Sequence, residues 1–143
     1  MTLDPEIREE AYAYFLSESQ DLLRTIENEL FELRDDPSKG RIHALMRATH
    51  TLKGASANVG LETIKTIAHH MEDVFRALFE PEAVIDVELE GLLLELYDCL
   101  RLALTGELEN EHHRDEQVLE QAIDTFASIQ GKLGDCFGRE TAL

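Results

Sequence analysis

Long apolar runs are missing from this chain. No stretch reaches the roughly 20 consecutive apolar residues that a membrane-spanning helix needs, so no segment is expected to cross a bilayer. The opening, Met1-Thr2-Leu3-Asp4-Pro5-Glu6, is acidic and has no apolar core of the kind a secretory signal requires. Basic residues are scarce: 13 lysines and arginines stand against 30 aspartates and glutamates, a net charge of -17. Nucleic-acid binding demands a basic footprint, and anionic membranes recruit basic segments. Neither a nucleic acid nor a membrane surface is therefore expected as a partner. Cysteine occurs only at Cys99 and Cys136, without CxxC spacing, which reads as two reduced thiols in a cytoplasmic protein. Proline occurs three times and runs of β-branched residues are absent. Nothing alternates in the manner of a half-buried strand.

What is present favours helix: leucine, alanine and glutamate dominate in a chain of 143 residues, the length of one domain. Asp4 followed by Pro5 reads as the cap and first residue of a helix. From there Ile7, Ala11, Tyr14, Phe15, Leu22, Ile26, Leu30 and Leu33 recur at helical spacing, to about residue 34. Ser38 can cap a second helix, whose inward stripe is Ile42, Leu45, Thr49, Leu52, Ser56 and Val59. Small residues at 55–57 allow close packing, and Gly60 ends the helix. A third helix, from about 62 to 79, carries Ile64, Ile67, Ala68, Met71, Val74, Phe75 and Leu78, and Pro81 stops it. Asp86 caps a leucine-rich fourth helix that ends at Gly106. A polar loop follows over 107–114, and a fifth helix spans about 115–133. Five amphipathic helices with short connections predict an all-α fold: an antiparallel four-helix bundle with a fifth, C-terminal helix. One domain is expected over 1–137, with 138–143 a frayed tail.

The chemistry concentrates in His50-Thr51-Leu52-Lys53-Gly54-Ala55-Ser56-Ala57-Asn58-Val59-Gly60. Lys53 and Gly54 lie three and four residues after His50, on the same helix face. A cation beside an imidazole disfavours its protonated form and can neutralise an anion placed on the ring. Glycine inside a helix costs about 1 kcal/mol against alanine. Close approach of another molecule beside the ring gives Gly54 a reason. His50 is accordingly read as a phosphoryl acceptor, with Met46, Arg47, Gly54 and Ala57 as the surface on which a partner docks. A tight turn at Gly60 puts His69 and His70 level with His50, because both helices rise about 1.5 Å per residue. Lys65, His69, Glu72 and Arg76 share one face of the third helix, so Glu72 can offer a carboxylate to the ring of His50. An acceptor on one ring nitrogen fixes the tautomer and leaves the other nitrogen as nucleophile. Phosphoryl transfer asks a protein mainly for positioning and charge stabilisation. From Pro37 to Met71 the only acid is Glu62, against Lys39, Arg41, Arg47, Lys53 and Lys65, a basic island in an acidic chain.

This histidine motif, preceded by Met46-Arg47-Ala48-Thr49, resembles the histidine-containing phosphotransfer (HPt) family, and most closely the N-terminal HPt domain of CheA-type chemotaxis kinases. His69-His70-Met71-Glu72 matches that family's H-x-x-E run. Tyr14-Phe15-Leu16-Ser17-Glu18-Ser19, with Leu22-Leu23 and Ile26-Glu27, resembles its first helix. The likeness covers about residues 5–105, and the fifth helix fits the family's layout. Thr49 and Ala55 depart from a common alanine and a common glycine. The resemblance implies that His50 is phosphorylated, that Glu72 hydrogen-bonds its ring, and that Lys53 and His69 line the site. It implies a two-component phosphorelay in chemotaxis or motility, with a histidine-kinase catalytic domain as donor and a response-regulator receiver domain as acceptor. The chain is either a free phosphotransfer protein or the N-terminal piece of a multidomain kinase, and the CheA-type likeness favours the second; a monomer is expected when the domain is isolated.

No Walker loop, GxGxxG or glycine-rich ATP lid is present. No cofactor is expected in this domain, ATP and Mg belonging to the partner domains. A di-metal bundle needs two Glu-x-x-His pairs and two further inward glutamates. Only Glu109-x-x-His112 occurs, in a loop, so no metal is expected. His112 and His113 read as surface residues, and His70 as a solvated neighbour of the site. Nothing suggests an oriented nucleophile triad. The rival reading is a non-catalytic helical interaction module with a degenerate HPt fold, against which the intact His50, Lys53 and Gly54 weigh.

Overall fold

A computed structural model describes residues 4–137. Five helices follow one another: α1 (Pro5–Leu33), α2 (Lys39–Asn58), α3 (Glu62–Ala77), α4 (Val87–Leu108) and α5 (Asp115–Leu133). Among the described residues there is no strand, and a further helical turn at 135–137 follows Gly134. Helices α1 to α4 pack in sequence around one core, α4 closing back on α1, and α5 covers α3 and α4. The all-α bundle with a fifth helix is thus the observed architecture. The expected frayed tail, 138–143, lies outside the described residues.

The caps are those the sequence predicts. The Asp4 carboxylate accepts from the Glu6 amide (2.9 Å), the Ser38 hydroxyl from the Arg41 amide (3.2 Å) and the Asp86 carboxylate from the Leu89 amide (2.8 Å). Each satisfies an amide left unpaired at a helix start. At the end of α2, Gly60 takes φ +77°. Its amide donates to the Ala57 carbonyl (3.2 Å) and that of Leu61 to Ser56 (2.9 Å). This paired closure uses the left-handed conformation that glycine adopts without a Cβ penalty. The turn is short, and α2 packs more extensively on α3 than any other two helices do on each other.

Two tyrosines fix the α1–α4 seam. The Tyr12 hydroxyl donates to Glu107 Oε1, and the Tyr97 hydroxyl donates to Glu27 Oε2 (3.1 Å) and the Leu23 carbonyl (3.4 Å). Burial, with those carboxylates beside them, pushes both phenols up to about 12. They hold their protons and remain donors at any physiological pH.

Several expectations need correction. Helix α4 does not end at Gly106 but runs to Leu108, and the chain turns at Asn110, which takes φ 55°. Gly106 serves the returning loop. The Glu111 amide donates to the Gly106 carbonyl (2.7 Å), and a Cβ at 106 would meet the Glu111 carbonyl oxygen at 2.6 Å. Helix α3 stops at Ala77 rather than near 79, because a run of turns carries the chain through Pro81. Of the small residues at 55–57 only Ser56 is buried, and Ala57 is exposed. Ser56 and Thr49 return their hydroxyls to their own helix, on Leu52 (2.8 Å) and Leu45 (3.0 Å), so both enter the core satisfied. His70 is not a solvated neighbour. Its half-buried ring stacks on Phe126 of α5 (4.2 Å between centroids, 25° between planes), and burial lowers its imidazole below the ordinary value. Cys99 and Cys136 are buried and unbridged, and burial pushes the Cys99 thiol up.

Candidate functional site

His50 stands two turns before the end of α2, at the edge of that helix's buried stripe. Leu45, Thr49 and Leu52 point into the core around it, while its own side chain is 65% exposed. Across the hairpin, Glu72 comes from α3 with a side chain only 3% exposed. Its Oε2 lies 2.7 Å from His50 Nδ1, and its Oε1 lies 2.6 Å from Lys53 Nζ. Arg76, one turn further along α3, brings Nη2 to 3.3 Å from Oε2. A buried carboxylate is therefore surrounded by three nitrogen donors.

Burial alone would raise the Glu72 carboxyl. The hydrogen bonds from Lys53 and His50, and their charges, outweigh it and hold the group below its ordinary 4.5. An ionised carboxylate only accepts, so Nδ1 carries the hydrogen and donates it to Glu72. The neutral ring then keeps its lone pair on Nε2. What emerges is a nucleophilic nitrogen on an exposed ring edge, oriented from beneath by a buried anion.

Height along the hairpin explains which residue meets the ring. Counting from Gly60 places His69 and His70 level with His50, yet the partner is Glu72, two residues further. Side chains on a helix tilt toward its N-terminus. On α2 that tilt carries His50 away from the turn, and on α3 it carries Glu72 back toward it, so the tips meet between the two levels. His69 pairs instead with Asp73 (3.6 Å), and Asp73 with Arg76 (3.5 Å). It belongs to the outer end of the same charge network and, among the described residues, makes no hydrogen bond, ion pair or ring contact with His50.

Lys53 is committed to Glu72 and not held in reserve beside the ring. The surface beside it is as open as the spacing predicts. Gly54, Arg47 and Ala57 are exposed, Met46 is half-buried, and a Cβ on Gly54 would meet nothing within 4 Å. Nothing in the fold itself demands glycine there. The basic island is partly structural. Arg41 binds Glu29 (3.0 Å), Glu32 (3.1 Å) and Asp36 (3.3 Å), joining α2 to α1, and Lys65 pairs with Glu62 (3.3 Å). Spacing assigned no role to Asp73 or to Arg76. The signal for Arg76 was its i, i+4 relation to Glu72, which places a glutamate and an arginine side by side on a helix.

The fold and site define a class: a helical bundle presenting one oriented histidine. The chain belongs to the Hpt domain family, whose model matches residues 10–130. It is 33% identical over 123 residues to the chemotaxis protein CheA of Borreliella burgdorferi, and 32% over 87 residues to CheA of Bacillus subtilis. Those alignments cover 85% and 60% of this chain but only 14% and 13% of the relatives, which are far longer. Among solved structures the chain is similar to the phosphorylated P1 domain of CheA3 in complex with CheY6 from R. sphaeroides. The TM-score is 0.66 at 25% identity, covering 84% of this chain and 98% of that one. No helix among the described residues is long and apolar enough to cross a membrane.

Proposed function

We propose that this chain is the phosphoacceptor domain of a CheA-type chemotaxis kinase. The reading rests on one geometric observation, the 2.7 Å bond from His50 Nδ1 to the buried Glu72 carboxylate beneath an exposed ring. The Nε2 lone pair attacks the γ-phosphorus of ATP held by a kinase catalytic domain. The bond to the bridging oxygen breaks and ADP leaves with its electron pair. The ring then carries a phosphoryl group on Nε2 and a hydrogen on Nδ1, and its positive charge lies against Glu72. In the second step a receiver aspartate oxygen attacks phosphorus, the N–P bond breaks, and the pair returns to Nε2. The chain's own part is orientation and charge compensation, the contribution that phosphoryl transfer chiefly requires. The similar CheA3 domain, phosphorylated and bound to CheY6, supports a receiver as acceptor, and Gly54 with Arg47, Met46 and Ala57 is the face offered to it.

The test is radiolabelling with ATP and a CheA catalytic domain. Wild-type protein should take up acid-labile label, as phosphohistidine does, and His50→Gln should take up none while keeping its helicity, because the ring contributes little to the core. Equal labelling of the two proteins would reject His50 as acceptor. A well-folded wild type that is never labelled, yet still binds a receiver, would support the non-catalytic interaction module.

A further inference from the structure

The three donors on Glu72 are not equivalent. His50 and Lys53 both come from α2, across the hairpin, and Arg76 comes from the helix that carries Glu72. Arg76 and His50 share one oxygen, Oε2, while Lys53 has Oε1 to itself. The last torsion of a glutamate is broad and sets the plane of its carboxylate. With Lys53 alone on Oε1, rotation about that torsion moves Oε2 out of the plane of the imidazole at little cost. A second donor on Oε2, anchored one turn away on the same helix, restricts that rotation. Arg76 is steadied in turn by Asp73 (3.5 Å) and is about 39% exposed.

We propose that Arg76 is a positioning residue for the phosphoryl-accepting nitrogen: by holding Glu72 Oε2 in the ring plane of His50, it biases the imidazole toward the tautomer with the hydrogen on Nδ1 and the lone pair on Nε2. The inference rests on the reading of His50 as acceptor, but its first readout does not. Nitrogen NMR of the ring reports the tautomer balance without any phosphoryl donor. Arg76→Gln should shift that balance toward the Nε2–H form, and Arg76→Lys, which keeps the cation, should restore part of it. The second readout is labelling by phosphoramidate, a small donor that needs no kinase. Nε2 attacks its phosphorus and ammonia leaves. The rate should fall about two- to fivefold in Arg76→Gln, the scale of one partly exposed ion pair, with partial recovery in Arg76→Lys.

An unchanged tautomer balance and rate in a folded Arg76→Gln would reduce the pair to a surface contact and overturn the proposal. Should that variant unfold, Arg76→Lys decides the matter: its single amine cannot hold Glu72 Oε2 as the guanidinium fork does, so the tautomer balance should shift part of the way toward the Nε2–H form. An unchanged balance in a folded Arg76→Lys would then overturn the assignment. A wild type that shows the expected tautomer but takes no label would fail the acceptor reading and leave the role of Arg76 in orienting the ring standing.

Discussion

A single buried carboxylate organises the chemistry at the scale of residues. Glu72 owes its low protonation affinity to donors that offset its burial, so its contribution to stability depends on pH in a definite direction. The folded-state value lies below the ordinary 4.5. The stabilisation is therefore complete at neutral pH and is lost as pH falls from about 5 through the depressed folded value. Glu72→Gln should cost about 1.5–3 kcal/mol at neutral pH, the range for hydrogen bonds to charged groups. It should also flatten the acid limb of the stability profile. Urea unfolding of both proteins across that range checks this, and parallel acid limbs would contradict it. The pairing itself was legible in the sequence, because an oriented imidazole needs an acceptor and Glu72 lay on the facing helix. The roles of His69 and Arg76 were not. Residue spacing gives faces and heights, whereas the choice among Asp73, Glu72 and His50 as partners depends on side-chain tilt and on which group is buried.

At the scale of elements, the glycines separate into those the fold uses and several, Gly54 among them, that meet open space. Gly60 and Gly106 are required by backbone geometry, one by its positive φ and the other by the carbonyl that crosses it. Gly106→Ala should therefore destabilise the α4–α5 connection, by about 1–3 kcal/mol, the usual cost of forced crowding. Gly54 has open space around it in the middle of α2. Gly54→Ala should raise stability by up to about 1 kcal/mol. Gly54→Glu should leave the fold intact and slow transfer to a receiver about tenfold or more, since a negative charge would face an acidic pocket. Thermal melts and single-turnover transfer assays separate these outcomes, and an unimpaired Gly54→Glu would move the docking face elsewhere. The ends of α1 and α2 were readable from their capping residues and periodicity, and those of α5 from periodicity alone. The end of α4 was not: Gly106 carries the signature of a terminator, but its function is clearance for a loop whose path lies outside the reach of local sequence. His70 misled for a related reason. Beside the site it reads as solvated, yet α5 returns to cover it with Phe126.

At the scale of the whole molecule, the uneven distribution of charge has a consequence for encounters. Helix α2 carries Lys39, Arg41, Arg47 and Lys53 and no acid, while α1, α4 and α5 are rich in glutamate and aspartate and the chain as a whole stands at -17. Among the described residues Arg47 meets no carboxylate, so its charge is directed to solvent beside His50. The bundle is thus an electric dipole with its less negative pole on the helix that bears the imidazole. An approaching body with an acidic pocket is repelled by most of this surface and least opposed at one place. The resulting torque turns the two molecules before they touch. Collisions are sorted by orientation at distances of about 10 Å, the reach of charge at ordinary ionic strength, and a protein whose total charge would repel such a partner still offers it one open heading.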